Sequence, residues 1–235
     1  MVHVCMDDPV TKSDFGTITS IEPQASGRRR VNVFVDETYS FSVSVDVARQ
    51  LTLAPGLTLD GDLRDRIEQL EDQAAAYNAA ISLLANRNRS EQEIRDRLRR
   101  KGHQPGSIDR TVERLMDLHY LDDREFARSW VENRQTFRPR GQYALRQELR
   151  SKGVDQLIID ETVAQDPIDE VMMAIAAARK KLPSLSSADP ATRQRKLVGH
   201  LQRRGFSYGS IRSVLDQLTD FSGDEPNPSE DPPLI

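Results

Sequence analysis

Three stretches decide the fold: IRDRLRRKG at Ile94–Gly102, LRQELRSKG at Leu145–Gly153 and LVGHLQRRG at Leu197–Gly205. Each sets two apolar residues four apart, Ile94 and Leu98, Leu145 and Leu149, Leu197 and Leu201, which puts both on one face of a helix. The glycine four residues further on suits the left-handed position that ends a helix. Six residues beyond each glycine stands Ile108, Ile159 or Ile211, and ten beyond it Val112, Val163 or Leu215. A single helix–turn–helix pattern is therefore written three times in register.

A preceding helical stretch completes each unit: Ala79–Asn86, Asp123–Gln135 and Asp169–Lys181. Helix starts agree with this division. Ser90 and Glu93 form a Ser-x-x-Glu capping box, and Asp122 with Glu125 offers a related cap to the helix carrying Phe126, Ala127 and Trp130. The expected modules are 79–122, 123–167 and 168–221, each too small to bury much alone, so that stacking of neighbours stabilises the whole. In the second, the segment Thr136-Phe137-Arg138-Pro139-Arg140-Gly141 inserts a basic, aromatic loop between two helices.

Upstream, residues 61–78 read as a connecting helix, with Leu63, Ile67, Leu70, Ala74 and Tyr77 at helical spacing. Residues 15–60 alternate instead, in three stretches at 17–21, 31–35 and 39–45, which predicts a small β-rich domain of three strands. Asp36-Glu37-Thr38 closes a hairpin, Gly27 and Arg28–Arg30 supply an earlier turn, and Val47–Leu53 is a helical turn before Pro55-Gly56. Residues 1–14 and the tail 222–235, which has four prolines and four acids, are expected to be disordered. The fold class is thus mainly α: three tandem three-helix repeats in an elongated array, preceded by a small β-sheet.

The net charge of −4 is unevenly spread. Residues 1–78 carry seven Lys and Arg against thirteen Asp and Glu, residues 79–221 carry twenty-six against twenty, and the tail none against four. A helical middle with surplus cations between acidic ends suits an acidic partner, nucleic acid or protein. No apolar run has the length of a membrane span and Met1–Lys12 lacks the order of a signal peptide, so a cytoplasmic location without membrane contact is expected. Cys5 is the only cysteine, and His3, His103, His119 and His200 show no metal spacing. No phosphate-cradling glycine loop occurs, so the chain is expected to be no enzyme, with no cofactor and no metal.

The run Arg87-x-x-Ser90-x-x-Glu93, Leu98-x-x-Lys101-Gly102, Tyr120-Leu121-Asp122-Asp123-x-x-Phe126-Ala127, and then Arg134, Gly141, Leu145-x-x-Glu148-Leu149-x-x-Lys152-Gly153 resembles the RecX family. That family consists of regulators of the bacterial RecA recombinase. The likeness covers roughly residues 75–220, is weakest in the third module, and extends more loosely to residues 16–60. It implies a monomer that binds the RecA–single-stranded DNA filament and suppresses its ATPase, recombination and coprotease activities, and so a part in regulating repair and the SOS response. An autonomous DNA-binding helical module is the alternative.

The paired carboxylates Asp122 and Asp123 read as helix-start residues, since Asp there satisfies unpaired amides and the helix dipole. Lys101, Lys152 and Arg204, each just before a repeat glycine, have a comparable explanation at helix ends. The surplus is harder to assign to structure: Arg95, Arg97, Arg99 and Arg100; Arg138, Arg140, Arg146 and Arg150; Arg193, Arg195, Lys196 and Arg203. These are the candidate contacts, to phosphates directly or to acidic patches of a recombinase, with Arg140, Arg146 and Arg150 the first choice for substitution. Phe137 and Tyr143 flank the basic loop and offer base stacking, though burial is expected for Tyr143 and for Trp130.

Overall fold

The computed structural model describes residues 15–24, 29–165 and 169–220. The two ends read as disordered, with Cys5 and His3, and the turn assigned to Gly27 and Arg28 lie outside the described residues. The described residues form two compact units, one running to residue 87 and including 94–120, the other of 88–93 with the described residues from 121 onward.

In the first unit, β1 (Gly16–Pro23), β2 (Arg30–Val35) and β3 (Thr38–Ser44) pair antiparallel, as the alternating stretches predict. The β2–β3 turn is the two residues Asp36 and Glu37, both at positive φ, the pattern that matches strand twist. One expectation needs correction: the sheet has four strands. A two-residue β4 (Thr58–Leu59) pairs with Gly16 and Thr17, giving the order β3-β2-β1-β4. Its length is below what alternation can signal, yet Leu59 is buried beside Ile18, Val33, Val35 and Val43.

Helix α1 (Val45–Gln50) is capped by Ser44, and α2 (Gly61–Leu84) by Asp60, whose side chain accepts from the Leu63 amide. Helix α2 carries in one unbroken run both the connecting stretch 61–78 and the first helix expected of the first module from Ala79. One helix serves both structures of the unit. Its first half gives Ile67 to the sheet core, and Glu71 accepts from the Ser44 amide and the Arg30 guanidinium, each at 2.7 Å. Its second half buries Ala76 and Ala80 and packs on α4 (Pro105–Asp117). At the middle of α2, Asp72 accepts from the Gln104 amide at 2.9 Å and bonds His103 Nδ1 at 2.7 Å, fixing the entry to α4. Helix α3 (Glu91–Arg100) buries Ile94 and Leu98, and α4 buries Ile108, Val112 and Leu115.

The second unit holds α5 (Asp123–Phe137), α6 (Gln142–Ser151) and α7 (Gln156–Gln165), then α8 (Glu170–Lys181), a 3-10 turn (Leu182–Leu185), α9 (Pro190–Arg203) and α10 (Tyr208–Asp220). Leu145, Leu149, Ile159 and Val163 close one core with Phe126, Ala127 and Val131; Leu197, Leu201, Ile211 and Val214 close the other with three alanines of α8. Helix α9 has fourteen residues where α3 and α6 have ten, the extra turn lying at its start.

All three repeat glycines stand where the spacing requires a left-handed residue: Gly102, Gly153 and Gly205 have φ of 85°, 75° and 78°. The amide of the residue after each reaches back to the carbonyl of Leu98, Leu149 or Leu201, at 3.3, 3.2 and 3.3 Å. These are Schellman turns. The protein is mainly helical, with three three-helix repeats and a small antiparallel sheet at its N-terminal side.

Candidate functional site

Within the second unit the repeats meet through seams of one design. At the first, Ser90 Oγ accepts from the Glu93 amide at 3.2 Å, as a capping residue does, and donates to the carbonyl of Lys152, the cap of a Schellman turn. Glu93 does not reach back to complete the box; its carboxylate pairs with Lys152 Nζ at 2.7 Å. At the second seam Gly141 stands where Ser90 does, and its amide donates to the Arg204 carbonyl at 2.9 Å. No larger residue fits, because a Cβ on Gly141 would lie 2.1 Å from the Gly205 carbonyl oxygen.

An acid at the first residue of the following helix clasps each seam. Asp123 Oδ1 accepts from the Glu91 amide at 2.8 Å, and Glu170 Oε1 accepts from the Gln142 amide at 3.2 Å. Asp122, by contrast, caps its own helix through the Arg124 and Glu125 amides. The two carboxylates read together as helix-start residues thus divide the work between a cap and a clasp. Neither reaches a metal site, and among the described residues no three His, Cys, Asp or Glu are grouped to hold one.

Several candidate cations are held in structural pairs. Arg95 meets Asp109, and Arg146 meets Asp160, at equivalent positions of two repeats, each tying a middle helix to the one after it. Arg134 and Arg140 share Glu148, at 2.7 and 3.3 Å. Lys152 lies over the Trp130 ring, as does Arg134. Trp130 is half-buried on the core of its repeat, with its indole N–H donated to Glu148 at 2.9 Å. Arg99 pairs with Asp96 at 3.0 Å, Arg100 donates to the Asp96 carbonyl, and Arg150 donates to Gln156. Arg193 donates to the carbonyls of Ser186 and Ala188, closing the loop before α9. Leu121 is buried, and Arg97 and Lys101 are exposed.

A group of cations lies where the end of α8, α9 and the loop after α5 converge. Lys181, Arg195, Lys196 and Arg203 line a shallow groove of about 530 Å³ whose lining includes no carboxylate. Gly199, in mid-helix, is part of its lining. His200, next along α9, is held below its ordinary pKa by burial and then by the charges of Arg204, Lys181, Arg203 and Arg140. Burial, with Arg140 and Arg138 nearby, lowers Arg204 as well, and its guanidinium donates to the Pro139 carbonyl at 3.1 Å. Beside this cluster Lys180 Nζ donates to the carbonyl of Phe137, whose side chain is 67% exposed.

Tyr143 corrects the expectation of burial, for it is also 67% exposed. It lines a second groove, of about 550 Å³, with Tyr208 and Arg146. The sequence reading missed Lys180, Lys181, Gly199 and Tyr208. The run Arg179-Lys180-Lys181 and a glycine inside an otherwise regular helix were the available signals.

Comparison with known proteins agrees with this architecture. Family models described as the first, second and third three-helix domains of RecX match residues 76–115, 122–163 and 169–215, and that of the Regulatory protein RecX N-terminal domain matches 16–60. The Regulatory protein RecX of Bacillus velezensis is 34% identical over 212 residues, covering 88% of this chain and 79% of that protein. That of Prosthecochloris aestuarii is 42% identical over 147 residues, covering 63% and 95%. A crystal structure of regulatory protein RecX superposes with a TM-score of 0.67 at 26% identity, covering 85% of this chain and 98% of the other. RecX from Lactobacillus salivarius gives 0.56 at 25% identity, covering 64% and 98%.

Proposed function

The chain belongs to the RecX family of regulatory proteins, and from that membership we propose that it is a non-enzymatic regulator which binds the RecA–single-stranded DNA filament and inhibits its ATPase, recombination and coprotease activities. The observation that carries this reading is the cationic cluster of the second unit, where the groove between α9 and the 3-10 turn that follows α8 is lined by four cations and no acid. Such a surface is complementary to a polyanionic assembly, whose charge both steers encounter and orients docking. The fold supports a binding role: rigid helices present long cationic side chains, and while Asp109, Glu148 and Asp160 hold some of them within their own repeats, no carboxylate lines the groove.

The decisive measurement is ATP turnover by a homologous RecA filament on single-stranded DNA with this protein at saturation. Strong suppression is expected, and unchanged turnover refutes the proposal. Substitution of Arg140, Arg146 and Arg150 together is expected to weaken inhibition. Two of those three also hold ion pairs inside their repeat. Exchange of Lys181, Lys196 and Arg203 for Ala therefore tests contact more cleanly, with circular dichroism expected to match the parent.

A further inference from the structure

Gly199 stands where a helix pays for it. A glycine inside a helix is less favourable than alanine, because it brings more backbone entropy to be lost and no side chain to pack. Here it faces the cationic groove, between Arg195 one turn before it and Arg203 one turn after it. The nearest atom to a Cβ built at this position is Arg203 Nη1, at 3.2 Å, the far end of a flexible side chain. Nothing rigid in the fold therefore requires glycine. What its absent side chain provides is depth: a ligand can approach the backbone of α9 with cations on both sides.

We propose that this groove seats the sugar–phosphate backbone of single-stranded DNA, and that Phe137 stacks on a base of the same strand. Arg195 and Arg203 are eight residues apart, roughly 12 Å along the helix at 1.5 Å per residue, a span that takes in more than one phosphate. Lys181 and Lys196 line the same groove, so the site follows a chain of charges, not a single anion. An acidic protein segment would satisfy the cations equally well. It would give no role to the exposed ring of Phe137, whose backbone is held at the end of α8 by Lys180. Phosphate-tracking cations beside an exposed aromatic ring are the combination by which single strands are held without sequence preference. This deepens the filament-binding reading, on which it rests for the source of the strand, by placing a direct nucleic-acid contact in the third repeat.

The test is fluorescence anisotropy with the full chain and a labelled oligo-dT, without recombinase, beside filament ATPase measured on the same preparations. Wild type is expected to bind with an affinity that falls steeply with salt. Lys181, Lys196 and Arg203 exchanged together for Ala are expected to lose at least tenfold and to flatten that dependence. Gly199→Leu, which adds bulk to the groove lining, is expected to lose about tenfold. Gly199→Ala is expected to raise the thermal midpoint by about 2–4 °C while weakening binding, opposite signs that a merely structural glycine would not show. Phe137→Ala is expected to lose fivefold or more on oligo-dT and nothing on an abasic strand of equal length. Undiminished oligo-dT binding by the triple and Gly199→Leu variants overturns the proposal, whatever their filament activity. So does equal loss by Phe137→Ala on both strands, or binding of poly-glutamate as tight as that of oligo-dT. Groove-dependent DNA binding by a protein that leaves filament ATPase untouched sustains this site and refutes the proposed function instead.

Discussion

At the seam made by the start of α3, Asp123 receives one amide, from Glu91; at the seam made by the start of α6, Glu170 receives four donors, the amides of Gln142 and Ser207 and the hydroxyls of Ser207 and Ser210. The two acids occupy the same place in the repeat, and their chemistry has diverged. Burial pushes Asp123 above the usual range, the Glu91 amide opposes it, and the charges of Glu91 and Asp122 add to the rise. Burial acts on Glu170 in the same direction but is outweighed by the bonds from Ser207, Ser210 and Gln142, so its carboxyl is held low. One architectural position can thus be filled by a carboxylate that the fold tolerates or by one on which the fold depends. The number of donors decides which.

The largest effect is expected from Glu170→Ala, which strips four donors at once and is expected to cost about 3 kcal/mol, whereas Asp123→Ala is expected to cost about 1 kcal/mol. Urea unfolding followed through Trp130, the single tryptophan, reports on the second unit directly. Equal losses for the two variants would erase the distinction between the seams. Next comes Gly141→Ala, expected to cost about 2 kcal/mol because its methyl group meets backbone that cannot turn aside. Ser90→Ala, at the equivalent position, is expected to lose about 1 kcal/mol, the ordinary worth of a helix cap. A larger loss for Ser90→Ala than for Gly141→Ala would show that the hydroxyl bridge to Lys152 dominates the first seam.

The smallest effects are those of pH. A carboxylate whose folded pKa is depressed stabilises above its unfolded pKa and loses that contribution as pH falls through the folded value. Glu170 therefore withdraws stability on acidification below the usual carboxylate range. Asp123 has the opposite sign: the folded state binds its proton more readily, so acidification through its raised pKa favours folding. Asp123→Asn, which keeps an oxygen for the Glu91 amide, is expected to raise the urea midpoint at pH 7, and to do so less at pH 4. A gain that grew at the lower pH would reverse the assignment.

What was legible in the sequence was whatever a single helix imposes on itself. Leu145, Leu149 and Gly153 declare a face and an end; Asp122 and Ser90 declare starts. Tyr143 obeys the same geometry, for it stands two residues before Leu145 and so about 200° around the helix from it, away from the core. Its exposure was there to be read. Residues 77–79 contain no Gly or Pro, and the apolar spacing of Leu70, Ala74 and Tyr77 continues through Ile81 and Leu84, which is why α2 runs on in spite of Asn78. The candidate cations were harder, because an arginine looks alike whether it waits for a ligand or braces a turn. Arg95 with Asp109 and Arg146 with Asp160 lie fourteen residues apart in both repeats, and that recurrence was the available clue. The clasps of Asp123 and Glu170 could not be foreseen, since each satisfies an amide on a different helix.

The extra turn at the start of α9 has a consequence for assembly. In α3 and α6 the amides that begin the helix sit at the seam and are handed to the next repeat. In α9 the equivalent position, Gln194, is already inside the helix, and the true start is Asp189 with Pro190, which has no amide to give. The third repeat has no socket of the kind its predecessors use. Lengthening one helix by a turn thus changes what the end of a repeat can offer, from open amides to a capped and proline-closed start.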